Sequence, residues 1–158
     1  MAGRRQPDAN WEQSVRQSFA HQGFMRLIGA QIEGLAPGHC ILALPARADL
    51  CQQRGILHGG VTAALADTAA GYAAYSLMPV GSSPLTVEFK INLLAPALGE
   101  RFVATAKVVR AGRTLTIVEA DVTAETKGVS TPIARMLATL ICLENTPDQP
   151  AQPAGRAV

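Results

Sequence analysis

Asp67 is the single Asp, Glu, Lys or Arg between Gly55 and Val87. It stands in the run ILHGGVTAALADTAAGYAAYS, eight residues after Gly59, the first glycine of His58-Gly59-Gly60. Two kinds of chemistry sit in that stretch. The first backbone N–H groups of a helix have no intrahelical acceptor and carry partial positive charge. Glycines at such a start let a ligand approach closely, so the Gly59 N–H, with Gly60 beside it, could polarise a carbonyl and stabilise an oxyanion. The same triplet could equally be a plain helix start. The carboxylate is the second group. Its neighbours at i±3 and i±4 are Ala63, Ala64, Ala70 and Gly71, none of which can pair with it. An unpaired buried carboxylate is costly. Asp67 must therefore reach water, cap a structural group, or line a cavity left by the small residues. An apolar helix surface favours the cavity, where burial would raise its pKa toward the range useful for a base or nucleophile.

Helix geometry constrains the two groups together. Eight residues rise about 12 Å and turn through a net angle of roughly 80°. A donor and a nucleophile acting on one carbonyl must both lie about 3 Å from it. Gly59 and Asp67 of one helix do not meet that condition, so a shared catalytic site predicts two chains.

The elements around these residues can be read in order. Residues 1–22 are read as an N-terminal helical segment, with DANWEQSVRQSFA placing Trp11, Val15 and Phe19 on one face. Phe24 to about Leu44 reads as a strand pair turned at GLAPGHC. A long helix is predicted from about Gly60 to Leu77, apolar on every side and therefore buried, and Pro79 and Gly81 end it. Then come four strands. PLTVEFKINL alternates, with Leu85, Val87, Phe89, Ile91 and Leu93 on one face and Thr86, Glu88, Lys90 and Asn92 on the other. Turns are expected at Ala111-Gly112 and at KGVS. The last strand, TPIARMLATLICL, is apolar on both faces and belongs in a central or interface position. Burial alone then predicts an α+β fold, a sheet of about six antiparallel strands wrapped round one long helix. The main domain is assigned to 23–144, and the Pro-, Gln- and Ala-rich residues 145–158 to a disordered tail.

Composition narrows the partners. The 158 residues, 48% hydrophobic, fit one domain with a sizeable core. Low aromatic content and many alanines favour close approach, also between subunits. A net charge of +2 argues against nucleic acid or a membrane surface as the main partner. Cys40, Cys51 and Cys142 form no disulfide framework and read as reduced thiols, which places the chain in the cytoplasm. The N-terminus has no apolar segment behind its arginines, so no signal peptide is expected, and no stretch predicts a membrane span. His21, His39 and His58 lack metal spacing, and no metal is expected. A Gly-x-Ser-x-Gly elbow and a phosphate-binding Gly-x-x-x-x-Gly-Lys are both absent from the sequence.

The segments QQRGILHGGVTAALADTAAGYAA and LTVEFKINLLAPALGERFVATAKVVRAGRTLTIVEADV resemble the hotdog-fold acyl-CoA thioesterases of the PaaI type. The resemblance spans about residues 23–143. It implies that Asp67 attacks the thioester or activates water, and that Gly59 of the partner subunit donates its N–H to the thioester oxygen. It implies that His58 orients the helix start and that Thr86 positions water or the acid. Gln52 stands where the PaaI branch usually has Asn, and related hotdog thioesterases use Gln there. The implied substrate is acyl-CoA, with no further cofactor and with self-association to a homodimer or homotetramer. The phosphorylated arm of CoA could meet Arg110 and Arg113 beside the hairpin turn. A non-catalytic acyl-CoA-binding or sensing module on the same fold is the alternative, and Asp67 favours the enzyme. The acyl pocket is expected among the small residues near Asp67, with Tyr72 or Tyr75.

Overall fold

The computed structural model describes residues 8–146 and 148. Of the tail expected to be disordered, residues 147 and 149–158 lie outside the described residues, as do residues 1–7 of the N-terminal segment. Three α-helices and six strands follow in the order α1 (Trp11–His21), α2 (Gly23–Ile28), β1 (Gln31–Ala36), β2 (His39–Pro45), α3 (Gly59–Tyr75), β3 (Ser83–Leu93), β4 (Arg101–Ala111), β5 (Leu115–Thr126) and β6 (Val129–Leu143). The strands form one antiparallel sheet ordered β1-β2-β4-β5-β6-β3. Helix α3 packs across strands β2 to β6. The hotdog arrangement read from the sequence is the one observed.

Its local causes are visible in the chain. Lys127 and Gly128 both take positive φ, 50° and 79°, so β5 and β6 are joined by a two-residue turn whose twist suits a hairpin. Strand β6 lies between β5 and β3; its Met136, Ala138, Leu140 and Cys142 are buried against the helix side, whereas Leu137 on the outer face is 55% exposed. Helix α3 ends where Ser76, fully buried, donates to the Ala73 carbonyl and accepts the Gly38 N–H, each at 2.7 Å. That hydroxyl ties the helix end to the β1–β2 turn. Ser76→Ala leaves the Gly38 N–H without its partner in the interior, so a loss of about 1–3 kcal/mol is expected in urea unfolding.

Three expectations need correction. The region from Phe24 is not strand: Gly23–Ile28 is helix α2, and the first strand starts at Gln31. Met25 and Ile28 are buried at helical i, i+3 spacing, and Gly29 at φ 80° closes the turn, its N–H reaching the Arg26 carbonyl.

Helix α3 is not buried on every side. Thr62, Leu65, Ala66, Ala69, Ala70, Tyr72, Ala73 and Ala74 are buried, whereas Gly60, Ala63, Ala64, Asp67, Thr68, Gly71 and Tyr75 leave a stripe of small residues partly open. Alanine and glycine are as common on the open stripe as in the core, so hydrophobicity alone could not find it.

The third correction concerns β3. A bulge at Val87 breaks the alternation, with Thr86 paired to Leu140 and Glu88 to Thr139. Across the ladder Thr86, Phe89, Ile91 and Leu93 oppose the buried Leu140, Ala138, Met136 and Ala134. They therefore share the helix side, while Leu85, Glu88, Lys90 and Asn92 share the outer one. The bulge brings Thr86 to the helix face without moving Ile91 and Leu93 off it.

Candidate functional site

Helix α3 begins at Gly59, and His58 is its N-cap, with φ −61° and ψ 133°. The His58 Nδ1 accepts the Gly60 N–H at 2.9 Å. In the neutral imidazole this fixes the proton on Nε2. The cap holds Gly60 close: a Cβ added there would stand 3.0 Å from His58 Nδ1. The His58 carbonyl takes the N–H groups of Val61 and Thr62. The Gly59 N–H has no hydrogen-bond acceptor among the described residues. It is a helix-start donor left available, in the place the sequence assigned to an oxyanion donor.

Gln52 comes to the same place from the preceding loop. Its backbone N–H bonds the Ile56 carbonyl at 2.8 Å, its carbonyl takes the Gly55 N–H, and its side-chain oxygen takes the Arg54 N–H at 2.9 Å. The side-chain oxygen is thus occupied and the Nε2 donors remain. Leu57 N–H bonds Ala97 O, and His58 N–H bonds Leu50 O, which fixes the loop against the Ala95–Ala97 segment. Gln52 and Gly59 together line a chamber of about 430 Å³ with Ile56, Leu57, Thr62 and Leu93–Ala97. Leu93 closes tightly on the helix start, since a Cβ on Gly59 would meet its Cδ1 at 3.2 Å.

Asp67 lies elsewhere, on the open stripe facing β3. Its Oδ1 accepts the Thr86 hydroxyl at 2.8 Å. Burial raises its pKa from the usual carboxylate value, and the Thr86 hydrogen bond lowers it by a smaller amount. Thr86 favours the ionised form, so the sign for Thr86→Val follows: the Asp67 pKa should rise further. For a reaction that needs ionised Asp67, the acidic limb of the kcat/KM profile should move to higher pH in Thr86→Val. An unmoved limb would separate Asp67 from the rate.

Asp67 and Thr86 do not line the Gln52–Gly59 chamber. One chain thus brings together Asp67 with Thr86, and separately Gln52 with Gly59, His58 and Gly60, but not the two groups with each other. Arg110 and Arg113 join neither group. The hairpin that carries them lies toward the C-terminal end of α3, because Val108 N–H bonds Gly38 O and Gly38 N–H bonds Ser76. Gly59 is at the opposite end of this 17-residue helix, about 25 Å away along its axis. Tyr72 is corrected as well. It is buried, and its hydroxyl meets Ser18 at 2.9 Å and Gln22 at 3.0 Å, so it fastens α1 to α3. Of the two tyrosines only Tyr75 lies on the open stripe. The sequence reading missed the Leu93–Ala97 segment as a wall of the site. Its two leucines, one proline and two alanines carry no chemical signal.

Among the described residues no three His, Cys, Asp or Glu side chains cluster as a metal site would require. Nor is any helix among them long and apolar enough to cross a membrane.

Known proteins share this fold. The Thioesterase superfamily profile matches residues 54–131. A thioesterase family protein from Silicibacter pomeroyi shares 48% identity and superposes with a TM-score of 0.84, covering 85% of this chain and 98% of that one. Human acyl-coenzyme A thioesterase 13 is 32% identical over 109 residues, 68% of this chain and 77% of its own length. The E. coli PaaI protein from the phenylacetic acid degradation operon, 20% identical, shares the fold with a TM-score of 0.76, covering 87% of this chain and 96% of its own. With its helix wrapped by a six-stranded sheet and its capped glycine start, this chain belongs to the thioesterase superfamily of hotdog-fold hydrolases.

Proposed function

We propose that the protein hydrolyses acyl-CoA thioesters at a site shared by two chains, with Asp67 of one facing Gly59 of the other. The observation that carries this reading is the split itself. A partly desolvated carboxylate with its hydroxyl partner stands on an open helix stripe, and an available N–H stands at the start of the same helix, outside its reach. A module that only bound acyl-CoA would gain nothing from an ionisable carboxylate held out of water.

The geometry of the pairing follows from the residue numbers. If residue 59 faces 67 and 67 faces 59, the two α3 helices run antiparallel about a two-fold axis near Ala63. Ala63, Ala64 and Gly71 on the stripe permit close helix approach. Strand β3 beside the stripe is an edge strand with Leu85, Val87, Phe89 and Leu93 exposed, and a second copy would cover both features. The same symmetry turns each chain's Arg110 and Arg113 toward the end of the molecule that holds the partner's Gly59, where the phosphates of CoA could meet them.

In the reaction, ionised Asp67 takes a proton from water, and the hydroxide adds to the thioester carbonyl carbon. Alternatively the carboxylate adds directly, expulsion of the thiolate leaves a mixed anhydride, and water then cleaves that anhydride to the free acid. In both routes the carbonyl oxygen gains negative charge toward the Gly59 N–H, with Gln52 Nε2 as a second donor. The C–S bond then breaks, releasing CoA thiolate. A thiol is far more acidic than an alcohol, so the thiolate leaves readily and no strong general acid is required. His58 acts through Gly60 by holding the helix start, and Thr86 orients Asp67. Thiol release from a panel of acyl-CoAs tests the reading. Turnover on at least one acyl class is expected, and no turnover on any would reject it.

A further inference from the structure

Resting on that reading, we propose that His58 serves the reaction only as the neutral, Nε2-protonated imidazole, and that taking up a proton uncaps the helix start and withdraws the Gly59 N–H from the thioester. The cap is closely seated. Nδ1 stands 2.9 Å from the Gly60 nitrogen, and a Cβ added to Gly60 would meet Nδ1 at 3.0 Å and Cε1 at 3.3 Å. Gly60 is not among the glycines with positive φ. The backbone therefore does not require glycine there, whereas the ring does. Gly59 and Gly60 have no side chains to hold their own peptides. Among the described residues the imidazole is the one side chain that hydrogen-bonds either of them.

Protonation reverses the contact. An imidazolium carries N–H on both nitrogens, so Nδ1 would turn a donor toward the Gly60 N–H. The ring must then leave, and the Gly60 N–H loses its acceptor. A full positive charge also arrives at the N-terminus of a 17-residue helix, where the helix dipole is itself positive. The groups facing the ring do not offset this. Arg47 and Asp49 are paired with each other at 2.6 Å, and the Cys51 thiol donates to the Arg47 carbonyl at 3.4 Å. Helix α2 presents Phe24, Leu27 and Ile28 on this side, and α3 presents Val61, all uncharged. Asp67 of the facing chain is the remaining charge, and an imidazolium drawn toward it leaves Gly60 all the same. Losing a cap acceptor is worth about fivefold, and a cation at a helix N-terminus about twofold to fivefold, so the protonated form should work about tenfold more slowly.

The ring can be followed directly, because the chain has three histidines, His21, His39 and His58. Nitrogen NMR of histidine-labelled protein at pH 8 should show His58 with Nε2 protonated and Nδ1 bare. Lowering the pH to 5.5 should move the Gly59 and Gly60 amide signals in step with the His58 ring. In His58→Asn, whose side-chain oxygen caps a helix without titrating in this range, the two amides should stay in place. Kinetics add the consequence. With kcat/KM divided by each protein's own plateau, wild type should fall about tenfold further than His58→Asn by pH 5.5. His58→Ala should lower the plateau about fivefold, and His58→Asn should recover most of that loss. If His58→Asn does not fold, His58→Ser supplies a cap oxygen in its place. A ring protonated on Nδ1 at pH 8, or glycine amides that stay put while the ring titrates, overturns the proposal whether or not the protein hydrolyses anything. Parallel normalised profiles in an active enzyme overturn it too, since the acidic limb then belongs to Asp67 alone. Ring and amides moving together in a protein that turns nothing over would keep the uncapping and reject the hydrolase.

Discussion

Asp67→Asn should lower kcat by about 10²–10⁴, the range associated with a positioned proton acceptor, while the protein stays folded and is no less stable at neutral pH. The two halves of this result have one cause. Burial raises the Asp67 pKa in the folded chain, so the folded state binds its proton more tightly than the unfolded state does. Stability from such a group is present at low pH and is lost as pH rises through the raised folded value. At neutral pH the ionised carboxylate therefore opposes folding. Asparagine removes the charge, retains an oxygen to accept the Thr86 hydroxyl, and preserves the volume. A gain of up to roughly 1 kcal/mol in thermal or urea unfolding at pH 7 is expected, in the manner of active-site substitutions that exchange function for stability. The gap from wild type should close as the pH is lowered, because the wild-type carboxyl then becomes neutral too. Activity unchanged by Asp67→Asn would remove the carboxylate from the reaction. A large loss of stability would mean that Asp67 is structural.

The stability half of that prediction depends on details the sequence does not carry. The charge was visible as an isolated residue in an apolar run, and its offset from Gly59 calls for two chains if both groups act on one carbonyl. Its partner was not derivable from the pattern. Strict alternation along PLTVEFKINL puts Thr86 opposite Phe89, Ile91 and Leu93, and the Val87 bulge that brings all four to the helix side leaves no mark in residue type. Thr86 was reached through family resemblance alone. Helix α2 was hidden for a different reason. Its six residues are too few for periodicity to outweigh the strand propensity of Phe24 and Ile28, and Gly29 ends it after less than two turns. The strand count, the central place of β6 and the Lys127-Gly128 turn were legible because each follows from a local rule of side-chain alternation or backbone φ. The chamber was not, because Leu93–Ala97 meet Gln52 and Gly59 only through tertiary packing.

Two inactive proteins mixed as chains should recover about a quarter of wild-type activity if the site spans two subunits. The pair is Asp67→Asn with Gly59→Pro. Proline at the first helical position removes the N–H while matching helical φ, and the ψ of 133° at His58 is already one that a residue before proline adopts. Its ring presses on Leu93 Cδ1, the far end of a flexible side chain. Loss of one oxyanion donor lowers kcat by about 10²–10³, so Gly59→Pro alone should be nearly silent. After co-expression or unfolding and refolding together, about half of the dimers should be mixed. Each mixed dimer has one site that combines the intact Asp67 of the Gly59→Pro chain with the intact Gly59 of the Asp67→Asn chain, and one site that lacks both groups. One working site of two in half of the dimers gives the quarter. If Gly59 and Asp67 acted within one chain, every chain in the mixture would be defective and no activity would return. Tagging the two chains differently and isolating the mixed dimer sharpens the number to about one half per dimer, and activity absent from that isolated species would place the whole site in a single subunit.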